Sequence, residues 1–418
     1  MIKTKNESYL PPIIGCLVVM FSIGIVYLWS LFQRSAIDHY GWASTSAAMV
    51  SSLMIFMFIF GSMIGGFIQD KRSPRFVIYL GAALFFIGLF TSSLISASTP
   101  WLMYITYSVF AGMGVGFAYS GSLNCIQKWF PHRRGFASGL SVSAFGLSTF
   151  AFAPVIERLL KLPAFGDNAL PLTFRTLSFI FTVIILAAGF FVKNPSEAYL
   201  SGLDVPVRFT HQKQYTPKET VKTAPYWLIC SVIFFLPASY FIVQPFFATL
   251  APFREVSASQ ASFTIYMVGI ISALSRLISG PISDKIGRAR AVFLLGLIAC
   301  GSILIMTFAK GWLYTIAVWL VAFAYGGPSS IYPAMSTDVF GTKHSGGNYG
   351  LSLIFLGISS PVFSIIAGRL SPDGGTTGDY TISFIVGAAV CIIPFITLPL
   401  YDMYRKRMQK ANAEAAAD

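Results

Sequence analysis

Twelve stretches of about 20 mostly apolar residues recur along this chain with short polar connections between them, and each is long enough to cross a hydrocarbon core of about 30 Å. They lie near residues 12–33, 45–69, 76–95, 101–127, 135–157, 173–193, 225–250, 260–282, 290–309, 312–337, 347–369 and 379–402. Charged residues make up 11% of the sequence, against roughly a quarter in a soluble domain, so lipid is the solvent for most of the surface. The fold class expected is all-α and integral to the membrane, with twelve transmembrane helices.

The formal charge of +13 would suggest a nucleic-acid partner in a soluble protein. Here the basic residues sit between apolar stretches and read as topology signals, so no nucleic acid is expected. If the N-terminus is cytoplasmic, 21 of the 29 basic residues fall in inside segments and seven in outside ones; the one left over is Arg276. That excess predicts both termini inside. The first apolar run ends without a small-x-small cleavage site and is expected to be retained. Cys16, Cys125, Cys230, Cys300 and Cys391 lie in apolar stretches without a Cys-x-x-Cys pair, and the four histidines lie in connections. Neither a disulfide framework, a metal site nor a cofactor is expected.

A polar stretch with Pro195, Pro206 and Pro217 divides the chain. The organisation expected is a six-helix half over 1–193, a cytoplasmic linker over 194–223, a second six-helix half over 224–402 and a tail over 403–418. The halves repeat one another. Gly66-Phe-Ile-Gln-Asp70-Lys71-Arg72-Ser-Pro-Arg75 follows the second span, and Gly280-Pro-Ile-Ser-Asp284-Lys285-Ile-Gly287-Arg288-Ala-Arg290 follows the eighth, 214 residues later. A second echo relates Trp129-Phe130-Pro131 to Val339-Phe340-Gly341. Parallel repeats of this kind place a substrate path near the midplane.

The G-x-x-x-D-(R/K)-x-G-R-x-R pattern after spans two and eight resembles the signature of the major facilitator superfamily, and the resemblance covers essentially the whole chain. It implies two pseudo-symmetric halves. It also implies that Asp70 and Asp284, with Arg288 beside the second, accept or make contacts with basic groups and helix ends that gate the cytoplasmic side. The first copy departs from the pattern, with Ser73-Pro74 where Gly-Arg is usual, so its loop would be held less tightly.

Arg276 lies inside the eighth span, eight residues before Asp284, which at about 1.5 Å per residue is roughly 12 Å from the helix end. An ionisable group at that depth costs about 2.5–3.5 kcal/mol on insertion scales and marks a functional site by default. Gly269, Ser272, Ser275 and Gly280 surround it in sequence, and no Asp, Glu, Lys or His stands at comparable depth in any span. The remaining counter-charge is the cargo, and a guanidinium fork matches a carboxylate. Tyr27, Tyr119, Asn124, Phe145, Tyr325, Ser329 and Tyr332 are further cavity candidates, each of which also suits helix packing.

Tyr27-Leu-Trp29-Ser30, Tyr119-Ser-Gly-Ser-Leu-Asn124, Ser275-Arg276 and Asn348-Tyr349-Gly350 look like the oxalate/formate antiporter and bacterial monocarboxylate transporter branch. That resemblance implies that Arg276 binds substrate carboxylate and that Tyr27, Tyr119 and Tyr325 line its pocket. Where the oxalate exchanger has a second cation, this chain has Leu356; the acid that animal relatives place four residues before the arginine is here Ser272. One cation suits a monoanion. The function expected is transport of small monocarboxylates of the lactate, pyruvate or formate type by alternating access, by a monomer in a bacterial inner membrane. Protons are a candidate co-substrate. Oxalate/formate exchange is the alternative, and a non-transporting carboxylate sensor is the reading from another class.

Overall fold

Helices account for nearly all of the computed structural model, which describes residues 8–42, 44–201, 213–244, 247–370 and 380–414. Among them, ten helices are long and apolar enough to cross a membrane. The two remaining expected spans are occupied by Leu10–Ile23, which continues through a 3-10 turn into Trp29–Tyr40, and by the 30-residue helix Gly311–Phe340. Every expected span is thus helical, giving the all-α, twelve-span architecture. Helices Ala258–Ile286 and Gly311–Phe340 are about 45 Å long at 1.5 Å per residue, so their polar ends extend past the hydrocarbon.

Three spans expected to be continuous are interrupted. Gly24–Leu28 is a 3-10 segment in the first. The seventh breaks at Leu236-Pro237, between Ala224–Phe235 and Ala238–Val243, because proline has no N–H to continue the ladder. The twelfth breaks between Thr381–Val390 and Ile393–Glu414, just before Pro394. A fourth irregularity, the π-helical Tyr104–Ala111, opens the helix that continues as Gly112–Trp129.

The chain forms two compact units. The first comprises residues 1–131, 144–205 and 344–350, the second 132–143, 206–343 and 351–418. In the first, the glycines of Gly112-Met-Gly114-Val-Gly116 set the helix spacing. A Cβ on Gly114 would strike the backbone of Gly81 and Phe85, and one on Gly116 the backbone of Phe58 and Ser62. Helix Gly112–Trp129 therefore lies backbone to backbone against Pro74–Ser92 on one side and Ser44–Lys71 on the other. Its end is tied down as well: Trp129 Nε1 donates to the Lys193 carbonyl at 2.9 Å, just past helix Ala169–Phe191, whose own end Arg75 caps through the Phe190 and Val192 carbonyls.

The second unit repeats the device. Gly326 faces the Ser272 carbonyl, and Gly280 and Gly135 face each other's backbone. An apolar cluster that includes Phe241, Tyr314, Phe363 and Phe384 fills the space beyond. Gly301, by contrast, meets nothing within 4 Å. Gly280→Val should therefore lower the thermal unfolding midpoint of the purified protein in detergent, at an overpacking cost of about 1–3 kcal/mol or more. Gly301→Val, read on the same instrument, should leave the midpoint near the wild-type value.

Candidate functional site

In helix Ala258–Ile286 the buried face carries Ser272, Ser275, Arg276 and Ser279, while Leu274, Leu277, Ile278 and Ile282 are exposed. The arginine thus points into protein, and the branched aliphatic side faces lipid. Gly269, expected beside it, meets open space instead. The helix is fixed on two sides: Ser275 Oγ donates to the Phe323 carbonyl at 2.5 Å, and Ser143 Oγ donates to the Ala273 carbonyl at 2.9 Å.

Arg276 is 7% exposed. Its Nε donates to Ser329 Oγ at 3.3 Å, and Ser329 Oγ donates onward to the Gly326 carbonyl at 2.6 Å. Among the described residues no carboxylate lies within ion-pair distance, and neither terminal nitrogen of the guanidinium has a hydrogen-bond acceptor. A buried cation satisfied at one nitrogen out of three retains a forked donor pair for an anion.

Tyr325, four residues before Ser329, is half-buried and stacks on Tyr240 with ring centroids 4.1 Å apart and planes 8° from parallel. Tyr332 is 2% exposed, and its hydroxyl has no hydrogen-bond partner among the described residues. The sequence brings Arg276, Ser329 and Tyr325 to one region of the second unit; Tyr240 joins them unforeseen.

In the first unit Tyr119 and Phe145 come together with Phe58: Tyr119 meets Phe58 edge-on at 5.2 Å and Phe145 at 5.3 Å, while Phe145 stacks on Phe58 at 5.6 Å. Asn124 is placed elsewhere. Its amide nitrogen donates to Gln69 Oε1 and the Ser120 carbonyl, tying helix Gly112–Trp129 to Ser44–Lys71. Tyr27 belongs to the Gly24–Leu28 turn, and its side chain lies outside the described residues.

The two motif aspartates do the same job at equivalent places. Asp70 accepts from the amides of Gly346 and Gly347 at 3.2 and 2.9 Å, the second and third residues of helix Ser345–Leu370. Asp284 accepts from Gly135 and Phe136 at 3.1 and 2.9 Å, the second and third residues of helix Arg134–Leu160. Each carboxylate satisfies amides that have no partner within their own helix and sits at the positive end of its dipole. The glycine four residues earlier makes the approach possible, since a Cβ on Gly66 would strike Gly346 and one on Gly280 would strike Gly135.

Around Asp284 the clasp becomes a network. Arg288 Nη1 pairs with Asp284 at 2.5 Å and donates to Ser283 Oγ at 2.7 Å. Its Nε pairs with Asp338 at 2.9 Å, and Arg134 reaches the other oxygen of Asp338 at 3.2 Å and the Thr337 carbonyl at 3.0 Å. Asp338 escaped the sequence reading because it stands one residue beyond the expected span end; the available signal was the Phe130/Phe340 echo, which sets it opposite Lys128. Around Asp70 the neighbouring basic side chains are Lys128 and His344. The first loop, with Pro74 in place of Arg288, is held by Ser73 capping the Phe76 amide at 3.2 Å and by Arg75.

A long-helix membrane fold with this duplicated Gly-x-x-x-Asp clasp is that of a multi-pass membrane transporter. The family model described as Major Facilitator Superfamily matches residues 13–253 and 229–417, and the chain belongs to that family. It is a multi-pass membrane transporter and not an enzyme. The chain is similar to the oxalate:formate antiporter of Oxalobacter formigenes, at 26% identity over 97% of this chain and 95% of that protein. It is also similar to monocarboxylate transporter 12 of Homo sapiens, at 24% identity over 96% and 82% of the two chains. A structure of the transporter FucP in the outward conformation has the same fold, with TM-score 0.66 at 15% identity over 94% and 99% of the two chains.

Asp338→Ala should be among the most destabilising changes at this end of the protein. It removes one acceptor from each of two guanidinium groups, of which Arg134 is 4% exposed, and breaking a buried pair costs about 3–5 kcal/mol. Thermal unfolding in detergent should show a clear drop; Lys310→Ala, which breaks an exposed pair with Glu255, should show almost none.

Proposed function

We propose that the protein is a secondary transporter of small monocarboxylates across a bacterial inner membrane, working by alternating access with both termini in the cytoplasm. The observation that carries this reading is Arg276, a buried guanidinium bonded at Nε to Ser329 and without a carboxylate partner among the described residues. A carboxylate supplies the missing charge and accepts from the two terminal nitrogens. Two relatives support the substrate class by name, the oxalate:formate antiporter and monocarboxylate transporter 12.

In this reading Ser329, Tyr325 and Tyr332 serve the carboxylate together with Arg276 in the second half, and Tyr27 and the Tyr119–Phe145 ring pair are separate candidates within the first half. Asp70, Asp284 and Arg288 gate the cytoplasmic side by releasing and re-engaging helix ends. A proton accompanies the substrate or is absent; Ser272 stands where animal relatives carry an acid, so no side chain near Arg276 in sequence supplies the relay. Exchange of oxalate for formate is the second reading, favoured by the 26% identity to the antiporter and opposed by Leu356.

Uptake by reconstituted vesicles, competed by lactate, pyruvate, formate, oxalate, sugars and amines with and without a pH gradient, tests the assignment. Carboxylates should compete while sugars and amines should not; the reverse order would reject it. Arg276→Ala should abolish saturable uptake with expression and insertion intact, and Arg276→Lys should retain a fraction, since an ammonium keeps the charge without the fork. Wild-type uptake by Arg276→Ala would remove the arginine from the site. For the orientation, reporters fused to the C-terminus should be active only in the cytoplasm.

A further inference from the structure

Beyond the arginine, the second unit offers a surface of a different chemistry. Tyr325 and Ser329 are four residues apart on helix Gly311–Phe340 and so share a face. Tyr240 lies flat on Tyr325 at 4.1 Å, and Phe241 meets Tyr325 edge-on at 5.6 Å. Tyr240, Tyr325 and Leu356 are each half-buried and pack against the cluster containing Phe241 and Phe363. They therefore keep part of their surface open, unlike the fully enclosed Tyr332.

The surface is held in place. Tyr240 sits on the short helix after the Pro237 break, and hydroxyls of helix Ser345–Leu370 take up carbonyls on either side of that break. Ser359 Oγ donates to the Phe234 carbonyl at 2.6 Å and Ser364 Oγ to the Phe241 carbonyl at 3.1 Å. Leu356 is on the same helix and packs against the same cluster, so the stacked ring pair sits on a held, preorganised support. An aromatic pair with an aliphatic neighbour has nothing to offer a second carboxylate, whose unpaired burial is strongly unfavourable. It does gain from covering methyl or methylene groups.

We propose that Tyr240, stacked on Tyr325 and packed against the same cluster as Leu356, is a specificity-determining residue that receives the apolar substituent of the substrate, so that the protein prefers monocarboxylates with an alkyl or similar tail to formate and oxalate. The inference rests on the carboxylate reading of Arg276 and adds to it a direction of selectivity and a residue from the seventh span.

The test is ligand-induced thermal stabilisation of the purified full-length protein, titrated separately with formate, acetate, propionate, butyrate and oxalate. Apparent affinity should rise by about fourfold for each methylene from acetate to butyrate, with formate and oxalate weakest. Tyr240→Ala should flatten that gradient and Tyr240→Phe should keep it, because the ring stack survives without the hydroxyl. Leu356→Lys should raise oxalate above acetate. Should Tyr240→Ala not fold, Tyr240→Phe and Leu356→Lys carry the comparison. If no acid stabilises the wild-type protein, the carboxylate reading itself fails. If all five stabilise it without a gradient, or the gradient persists in Tyr240→Ala, the carboxylate reading stands and the role of Tyr240 is overturned.

Discussion

A carboxylate set against the first free amides of a helix is the contact on which each unit is built. Asp70 does this for helix Ser345–Leu370 and Asp284 for helix Arg134–Leu160, both through the second and third amides. The bond joins two polar groups that would otherwise need water, and it is formed at the end of a span where water is already scarce. Glycine one turn earlier is its precondition, because the partner backbone occupies the volume a side chain would take. The motif spacing Gly-x-x-x-Asp is therefore a statement about geometry: one residue clears the approach and the other, one helical turn on, binds what arrives.

The same economy governs the buried arginine. Its helix offers serines on the protein side and branched aliphatics on the lipid side, which orients the guanidinium without an acid to hold it among the described residues. Ser329 fixes one nitrogen and leaves the fork unspent. A full protein counter-ion would neutralise the site and compete with a passenger; a single hydroxyl positions the cation and leaves its charge in place. Around Arg288 the opposite choice is made, with two aspartates and a serine engaging its Nε and Nη1. The contrast separates an arginine that holds structure from one that awaits a ligand.

Much of this was legible in the sequence. Span length fixed the number and place of the helices, and the 214-residue repeat located both clasps. Arg276 stood out because no other charge shares its depth. Less legible were the interruptions: Pro237 and Pro394 each sit at a break, but Gly24 carries no comparable signal against an apolar background. Tyr240 and Phe58 were hidden by abundance, since with 39 phenylalanines and 19 tyrosines only tertiary packing says which rings meet. Asn124 looked like a pocket residue for being polar in an apolar span, whereas its amide was needed to tie two helices together. Asp338 fell just outside a boundary drawn by hydropathy, which cannot tell a residue that leaves the membrane from one that begins a salt-bridge network.

The pairing of Lys128 with Asp338 across the repeat has a historical consequence. If the halves descend from one duplicated ancestor, they have since taken opposite charges at an equivalent position, so that one clasp draws on Asp284, Asp338, Arg288 and Arg134 and the other on Asp70 with Lys128 and His344 nearby. Each arrangement borrows a residue from the other half of the sequence, Arg134 in one and His344 in the other, so two copies of either half would reproduce neither. Divergence at a single site has made the twins complementary, and neither can now stand in for its sibling.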